Sequence, residues 1–394
     1  MDNASALDTM VAQYGFSEPI YVTRPTMPSL EAYTALLEGI WDSRWLTNDG
    51  ALHTQLEQAL CAYLATEHLS LFCNGTIALL VALQALGINE GEVITTPFTF
   101  PATPHVLHWN RVQPVFCDID PATYNLDATQ IEACITPDTR AILGVHVYGT
   151  PCDVDAIDAV AQRHGLRVIY DAAHAFGIRY RDRSLADYGD MAVLSFHATK
   201  LFSTGEGGAL ISHSSQDRRR VNHLKNFGIA GEEAVIGPGI NGKMSEFQAA
   251  FGLLQLENVD AEIANRRAVA ETYRAELAGV PGLTLPPQPS QTQLNYAYFP
   301  ILVDPEGYSA DRDTLHATLK RFNVVARKYF HLLCSRYACY AGLPSAEPAN
   351  LPVAERIARE VLCLPIYGTL SPDDSLTIAR IIAELPERVF GNRP

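Results

Sequence analysis

Positive charge is in deficit in this chain: 29 Lys+Arg stand against 44 Asp+Glu, a formal net charge of −15 over 394 residues. A phosphate backbone would be repelled on average, which argues against a broad nucleic-acid face but not against a local pocket for one small anion. Long apolar runs are missing as well, since none approaches the roughly 18 residues that a bilayer span needs. The opening MDNASALDTMVAQYG has no positive start followed by an apolar stretch, so no secretory signal is visible and a soluble, cytoplasmic protein is expected. The eight cysteines include no C-x-x-C pair, and the twelve histidines include no H-E-x-x-H or H-x-x-x-H spacing. No metal is therefore expected, and the thiols read as small hydrophobes in apolar segments such as PVFCD and VLCLP. G-x-x-x-x-G-K-[ST] does not occur, and the lone G-x-G-x-x-G match, GPGING at residues 237–242, follows none of the candidate strands, so neither a P-loop nor a dinucleotide reading is supported.

What is present is enough apolar material for a large core, 47% of residues, and a length that suggests two or three domains. Residues 29–64 read as helical. Beyond them EVITTP, QPVFCDI, RAILGVHVYG, LRVIYDAAH, DMAVLSF and GALISH read as strands, several of them apolar throughout, as strands covered on both faces are. Helical segments such as TIALLVALQALG and DVDAIDAVAQRHG lie between them, which predicts a mostly parallel sheet with helices on both sides. From about residue 245 a long helical pattern begins, stopped by Pro281-Gly282 and followed by LTLPPQPS, the strand YAYFPILVD and a DRDTLHATLKRF helix. The expected organisation is a large α/β domain over residues 1–250, N-terminal segment included, and a smaller C-terminal α+β domain over 251–394.

Three signals carry chemistry. Asn74-Gly75-Thr76 opens a helix with free backbone N–H groups and a hydroxyl, which suits a phosphate and equally suits ordinary capping. Asp171 ends an apolar strand at the sheet's carboxyl edge, where α/β proteins build ligand sites; a buried acid there needs a cation, unless it simply caps a helix over AAHAFG. Lys200 lies among apolar and small residues in SFHATKLFSTGEGGALIS, five positions after Ser195, and a desolvated lysine is a nucleophilic amine. Together, in this order in one α/β domain, the three fit pyridoxal 5′-phosphate. Gly75, Thr76 and Ser195 would take its phosphate, Asp171 would keep its pyridine nitrogen protonated, and Lys200 would be the Schiff-base lysine.

On WLTNDG, NGTIAL, EVITTPFTFPAT, HVYGTPCDVDAI, VIYDAAHAFG, SFHATKLFSTGEGGA and GINGKMSEFQAAFGLLQL the chain resembles the DegT/DnrJ/StrS family of nucleotide-sugar aminotransferases, over most of its length. The resemblance implies the aspartate-aminotransferase-like, type I pyridoxal-phosphate fold. It also implies amination of a nucleotide-linked keto-sugar, with HATK, GINGKMSE and ARKYF nearest the enzymes that aminate C4 of dTDP-4-keto-6-deoxyglucose, and L-glutamate as donor. Phe100 would then stack on the cofactor ring, His174 would bond its 3-hydroxyl, and Asn241 would reach the phosphate from a second subunit of a homodimer. Lys243, Arg327 and Tyr329 would lie at the substrate. The family's H-Y-x-x-x-H motif has Tyr329 and Cys334 at its two histidine positions here. Other outcomes within the family are the galacto epimer, another nucleotide (GDP or UDP), a 3-aminotransferase, or a non-catalytic cofactor-binding regulator. Dehydratases of the family carry histidine where this chain has Lys200.

Overall fold

The structure, a computed structural model, describes residues 3–391. Its centre is a seven-stranded sheet built from β1 (Leu69–Phe72), β2 (Glu92–Thr95), β3 (Gln113–Phe116), β4 (Thr139–Val145), β5 (Arg167–Asp171), β6 (Met191–Ser195) and β7 (Gly208–Ser212). The spatial order is β1-β7-β6-β5-β4-β2-β3. Only β7 runs against its neighbours; every other pairing is parallel. All six strands read from the sequence are present. The seventh, β1, is a four-residue apolar segment too short to show a period of its own. Buried side chains on both faces, among them Ile94, Ile142, Ala192 and Leu194 on one and Val93, Leu143, Ile169 and Val193 on the other, explain why the strands lack alternation.

The helical reading of residues 29–64 is corrected: there are two helices, Leu30–Ser43 and Ala51–Leu64. Between them Arg44, the cap of the first helix, and Asn48 and Asp49 take left-handed backbone, which the short polar side chains of the latter two tolerate. The second helix then starts on a tertiary cap. The buried Glu246 carboxylate accepts the N–H groups of Leu52 and His53 at 2.9 and 2.8 Å. A side chain at Gly50 would meet that carboxyl at 2.5 Å, so the position is held by close approach.

The long helix Glu246–Leu277, opened by a reciprocal Ser245/Gln248 cap, leads from the large sheet into a second core. There a three-stranded antiparallel sheet, β8 (Leu283–Thr284), β9 (Phe299–Val303) and β10 (Val361–Leu364), packs with the helices Arg312–Arg321 and Pro372–Leu385. Met10 and the residues around it belong to this core rather than to the large sheet, and Ile20–Tyr21 pairs with Val324–Val325. The N-terminal segment expected within the 1–250 unit therefore packs with C-terminal elements. No described helix is long and apolar enough to cross a membrane.

One buried carboxylate joins the two parts. Asp118, just past β3, accepts from the N–H groups of Val353 and Ala354 at 2.9 and 2.8 Å, at the start of the helix Pro352–Glu360. Asp118→Ala strands these donors, so we expect a loss of about 1–3 kcal/mol of unfolding free energy in urea titrations. An unchanged midpoint and slope would show that water replaces the carboxylate without cost.

Candidate active site

Parallel β5 and β6 deliver Asp171 and Ser195 to the same carboxyl edge of the sheet. Asp171 is buried, and its carboxylate accepts from the Thr103 hydroxyl at 2.8 Å and the Ala173 N–H at 3.1 Å. Thr103 is itself backed by the Thr99 hydroxyl at 2.8 Å. Burial pushes the Asp171 carboxyl up, and these hydrogen bonds and the Lys200 charge only partly offset it. No described basic group forms an ion pair with it. It is an acid held dry, with an acceptor to spare for a cation.

Lys200 lies on the return from β6 to β7, half-buried, with Nζ donating to the Tyr298 hydroxyl at 3.3 Å. Burial pulls its ammonium down to about 8, against the opposing pull of Asp171 and Tyr329. Roughly one lysine in ten is then a free amine at pH 7, against fewer than about one in a thousand for an ordinary side chain.

His174, buried three residues past Asp171, accepts the Tyr148 N–H on Nδ1 at 3.1 Å, which leaves the ring proton on Nε2. Burial first, then the Lys200 and His146 charges, holds the ring well below its usual proton affinity, so it is neutral. Its ring lies parallel to those of Tyr148 and Phe330 and 4.6 Å from that of Tyr298. The Tyr148 hydroxyl donates to the Tyr329 carbonyl and ties that loop to the large sheet.

At the helix Gly75–Ala85 the Asn74 side chain accepts from the Ile77 N–H at 2.8 Å, and the first-turn N–H groups of Gly75 and Thr76 have no intrahelical partner. A side chain at Gly75 would lie 3.1 Å from the Ser195 Cβ, so the helix start abuts the end of β6 at Ser195. Thr76 is exposed in the same turn. Oriented N–H groups and hydroxyls at a helix start form an anion cradle.

The structure thus brings Gly75, Ser195, Asp171, His174 and Lys200 to one sheet edge, with Thr76 at its rim. Tyr329 joins the pocket, its ring 6.1 Å from that of Tyr298 in an edge-to-face arrangement. Arg327 is exposed, bridged through its backbone to Cys363. Phe100 is 59% exposed and meets no other aromatic ring among the described residues; the buried ring of that segment is Phe98, packed edge-on to Tyr148 and Phe330. Asn241 is exposed beside Gly242, whose carbonyl accepts from the Cys73 N–H at 2.8 Å. Lys243 donates to Asn226 Oδ1 at 2.9 Å and lies over the Phe227 ring. Sequence reasoning missed Thr103, Tyr148, Tyr298 and Phe330. Thr103 stands three residues beyond Phe100, in the first turn of the helix Ala102–Trp109; the other three look like core aromatics until the chain is folded.

A family model for DegT/DnrJ/EryC1/StrS aminotransferases matches residues 30–384. The chain is 47% identical over 366 residues to a dTDP-4-amino-4,6-dideoxy-D-glucose transaminase of Escherichia coli, covering 92% of this chain and 98% of that one. It is 35% identical over 349 residues to GDP-perosamine synthase of Caulobacter vibrioides, covering 88% and 92%. Its fold is similar to that of DesI, solved in the presence of its TDP-sugar product, with TM-score 0.90, 36% identity, and 95% and 94% of the two chains covered.

Proposed function

The chain belongs to the DegT/DnrJ/EryC1/StrS aminotransferase family, and from that membership we propose that it aminates the C4 ketone of dTDP-4-keto-6-deoxy-D-glucose. L-Glutamate is the donor in this reading, and dTDP-4-amino-4,6-dideoxy-D-glucose and 2-oxoglutarate are the products. The observation that carries it is the pairing of a lysine amine of lowered proton affinity with a dry carboxylate that lacks a cation. The substrate rests on the relative at 47% identity and on DesI, solved in the presence of its TDP-sugar product.

The residues fit pyridoxal 5′-phosphate: the cradle suits a phosphate, Asp171 suits a protonated ring nitrogen, and the neutral His174 offers Nε2–H to a ring oxygen. Bound there, the cofactor supplies an aldehyde for amine exchange and a cationic ring that withdraws electrons from the reacting carbon. Gly75, Thr76 and Ser195 would hold its phosphate, and Phe100 would stack on its ring. Lys200 would hold the cofactor through Nζ, and its free amine would take a proton from the donor carbon and return one to sugar C4. The face from which Lys200 delivers that proton sets the configuration. Tyr329, Arg327 and Lys243 contact the nucleotide sugar.

We further propose a homodimer in which Asn241 serves the neighbouring phosphate. This is supported by the exposure of Asn241 and by apolar side chains left open in one chain, among them Trp41 (67%), Trp45 (55%), Val235 (69%) and Ile236 (65%). We also place the reaction in the cytoplasm.

Incubation with the dTDP keto-sugar, glutamate and cofactor, followed by product NMR, is expected to show an amine at C4 in the gluco configuration. A galacto product, or an amine at C3, would overturn the assignment of position and face. Failure to release 2-oxoglutarate with dTDP-, GDP- or UDP-linked keto-sugars would point to a cofactor-binding regulator.

A further inference from the structure

One tyrosine touches the atom on which the reaction turns. The Tyr298 hydroxyl is 3.3 Å from Lys200 Nζ. Its ring fills the angle between His174, at 4.6 Å and 52°, and Tyr329, at 6.1 Å and 81°. The backbone behind it is fixed from three sides. The Ala297 N–H donates to Asn295 Oδ1 at 3.0 Å, and the Asn295 amide donates to the carbonyls of His174 and Phe176, both at 2.9 Å. Arg266 of the long helix, paired with Glu262 at 2.7 Å, donates to the Ala297 carbonyl at 3.4 Å. From residue 299 the chain enters β9, whose side chains are all buried. A phenol held this way is aimed at Nζ by packing rather than by chance.

We propose that Tyr298 is a catalytic residue, whose hydroxyl accepts a hydrogen bond from the ammonium form of Lys200 and donates one to the free amine, steadying Nζ through both proton transfers. When Lys200 acts as base, a C–H bond breaks, the carbon keeps the electron pair, and an N–H bond forms at Nζ. The nascent ammonium then has the phenol oxygen as acceptor. When Lys200 acts as acid, that N–H bond breaks, the proton goes to carbon, and the phenol turns to donate to the vacated lone pair. A hydroxyl serves both states because it rotates, whereas a phenylalanine serves neither.

Burial pushes the Tyr298 phenol up, so it keeps its proton throughout. The groups facing this pair are Asp171 and His174 from the large sheet, Arg266 from the long helix, Tyr329 from the loop after Arg327, and Cys363 from β10. None of them offers Nζ a hydrogen bond among the described residues, which leaves Tyr298 as its partner.

This inference rests on the transaminase reading only for its effect on turnover; the contact itself is tested without substrate. Competitive acetylation of Lys200 across pH, in the full chain stripped of cofactor and read by mass spectrometry, gives the amine's titration midpoint. A charge-assisted bond favours the ammonium, so Tyr298→Phe is expected to lower that midpoint by about half to one pH unit. In the loaded enzyme the same variant is expected to cut kcat roughly 10–100-fold with KM for glutamate nearly unchanged. It should also enlarge the isotope effect with α-deuterated glutamate, because proton transfer becomes slower than the remaining steps. A second variant, 3-fluorotyrosine at position 298, keeps the hydroxyl in place as a weaker acceptor and should shift the midpoint the same way by less. An unshifted midpoint in both variants, or a kcat within threefold of the parent, overturns the proposal. A failed product assay on the unaltered protein would instead overturn the substrate reading and leave the midpoint result standing.

Discussion

Lys200→Ala is expected to abolish turnover while still binding the cofactor. Proton transfer by a positioned side chain is worth about 10²–10⁴-fold, and this lysine is also the nucleophile, so kcat should fall by more than about 10⁴. The cradle at Gly75, Thr76 and Ser195 and the carboxylate of Asp171 are untouched, so cofactor titration by absorbance should still saturate. Lys200→Arg is expected to be as inactive, because a guanidinium keeps its proton at any working pH. Variant activity within a hundredfold of the parent would remove Lys200 from the mechanism.

The same variant has a stability signature. The lysine holds its proton less tightly in the folded chain, at about 8, than in the unfolded one. Between those values the unfolded chain binds more protons, so stability rises with pH across that window, and the cost of the buried charge is fully present below it. Lys200→Ala should therefore unfold no more readily than the parent at pH 7, and lose that relative advantage above about pH 10.

Asp171→Asn is expected to separate folding from function. Its carboxyl is raised by burial, so in the cofactor-free protein the charge opposes folding at neutral pH and ceases to do so in acid, once protonated in both states. The asparagine variant should match or exceed the parent in cofactor-free thermal stability near pH 7. The cofactor is affected in the opposite direction. Losing a charge-assisted bond to the ring nitrogen removes about 1.5–3 kcal/mol, roughly 10–100-fold in affinity. Losing the charge that keeps the ring protonated should cost kcat a further ~10²–10³-fold. A variant that binds and turns over like the parent would place the ring nitrogen elsewhere, and a large loss of cofactor-free stability would make Asp171 a structural acid.

The residues legible in advance were those whose local pattern carries the physics. Asp171 ends a strand that is apolar to its last turn, Lys200 is bracketed by small and apolar neighbours, and Gly75 begins a helix. Each pattern survives folding because it depends on residues adjacent in the chain. Residues 29–64 read as one helical stretch only while Asn48-Asp49-Gly50 goes unrecognised as a break. The cap that starts the second helix, Glu246, is supplied from almost two hundred residues away. Thr103, Tyr148, Tyr298 and Phe330 were invisible as a set for a similar reason. They come from four separate stretches, and nothing in the chain states that they gather around Asp171, His174 and Lys200.

Order along the chain was thus enough to establish an α/β frame, its parallel strands and three chemical groups, because periodicity, strand termini and helix starts are local properties of a polymer. How dry those groups are, which hydroxyl meets the lysine, and which cation the carboxylate lacks were decided only when distant segments packed together. Proton affinity and hydrogen bonding depend on what surrounds an atom in space, and a linear order does not specify those surroundings.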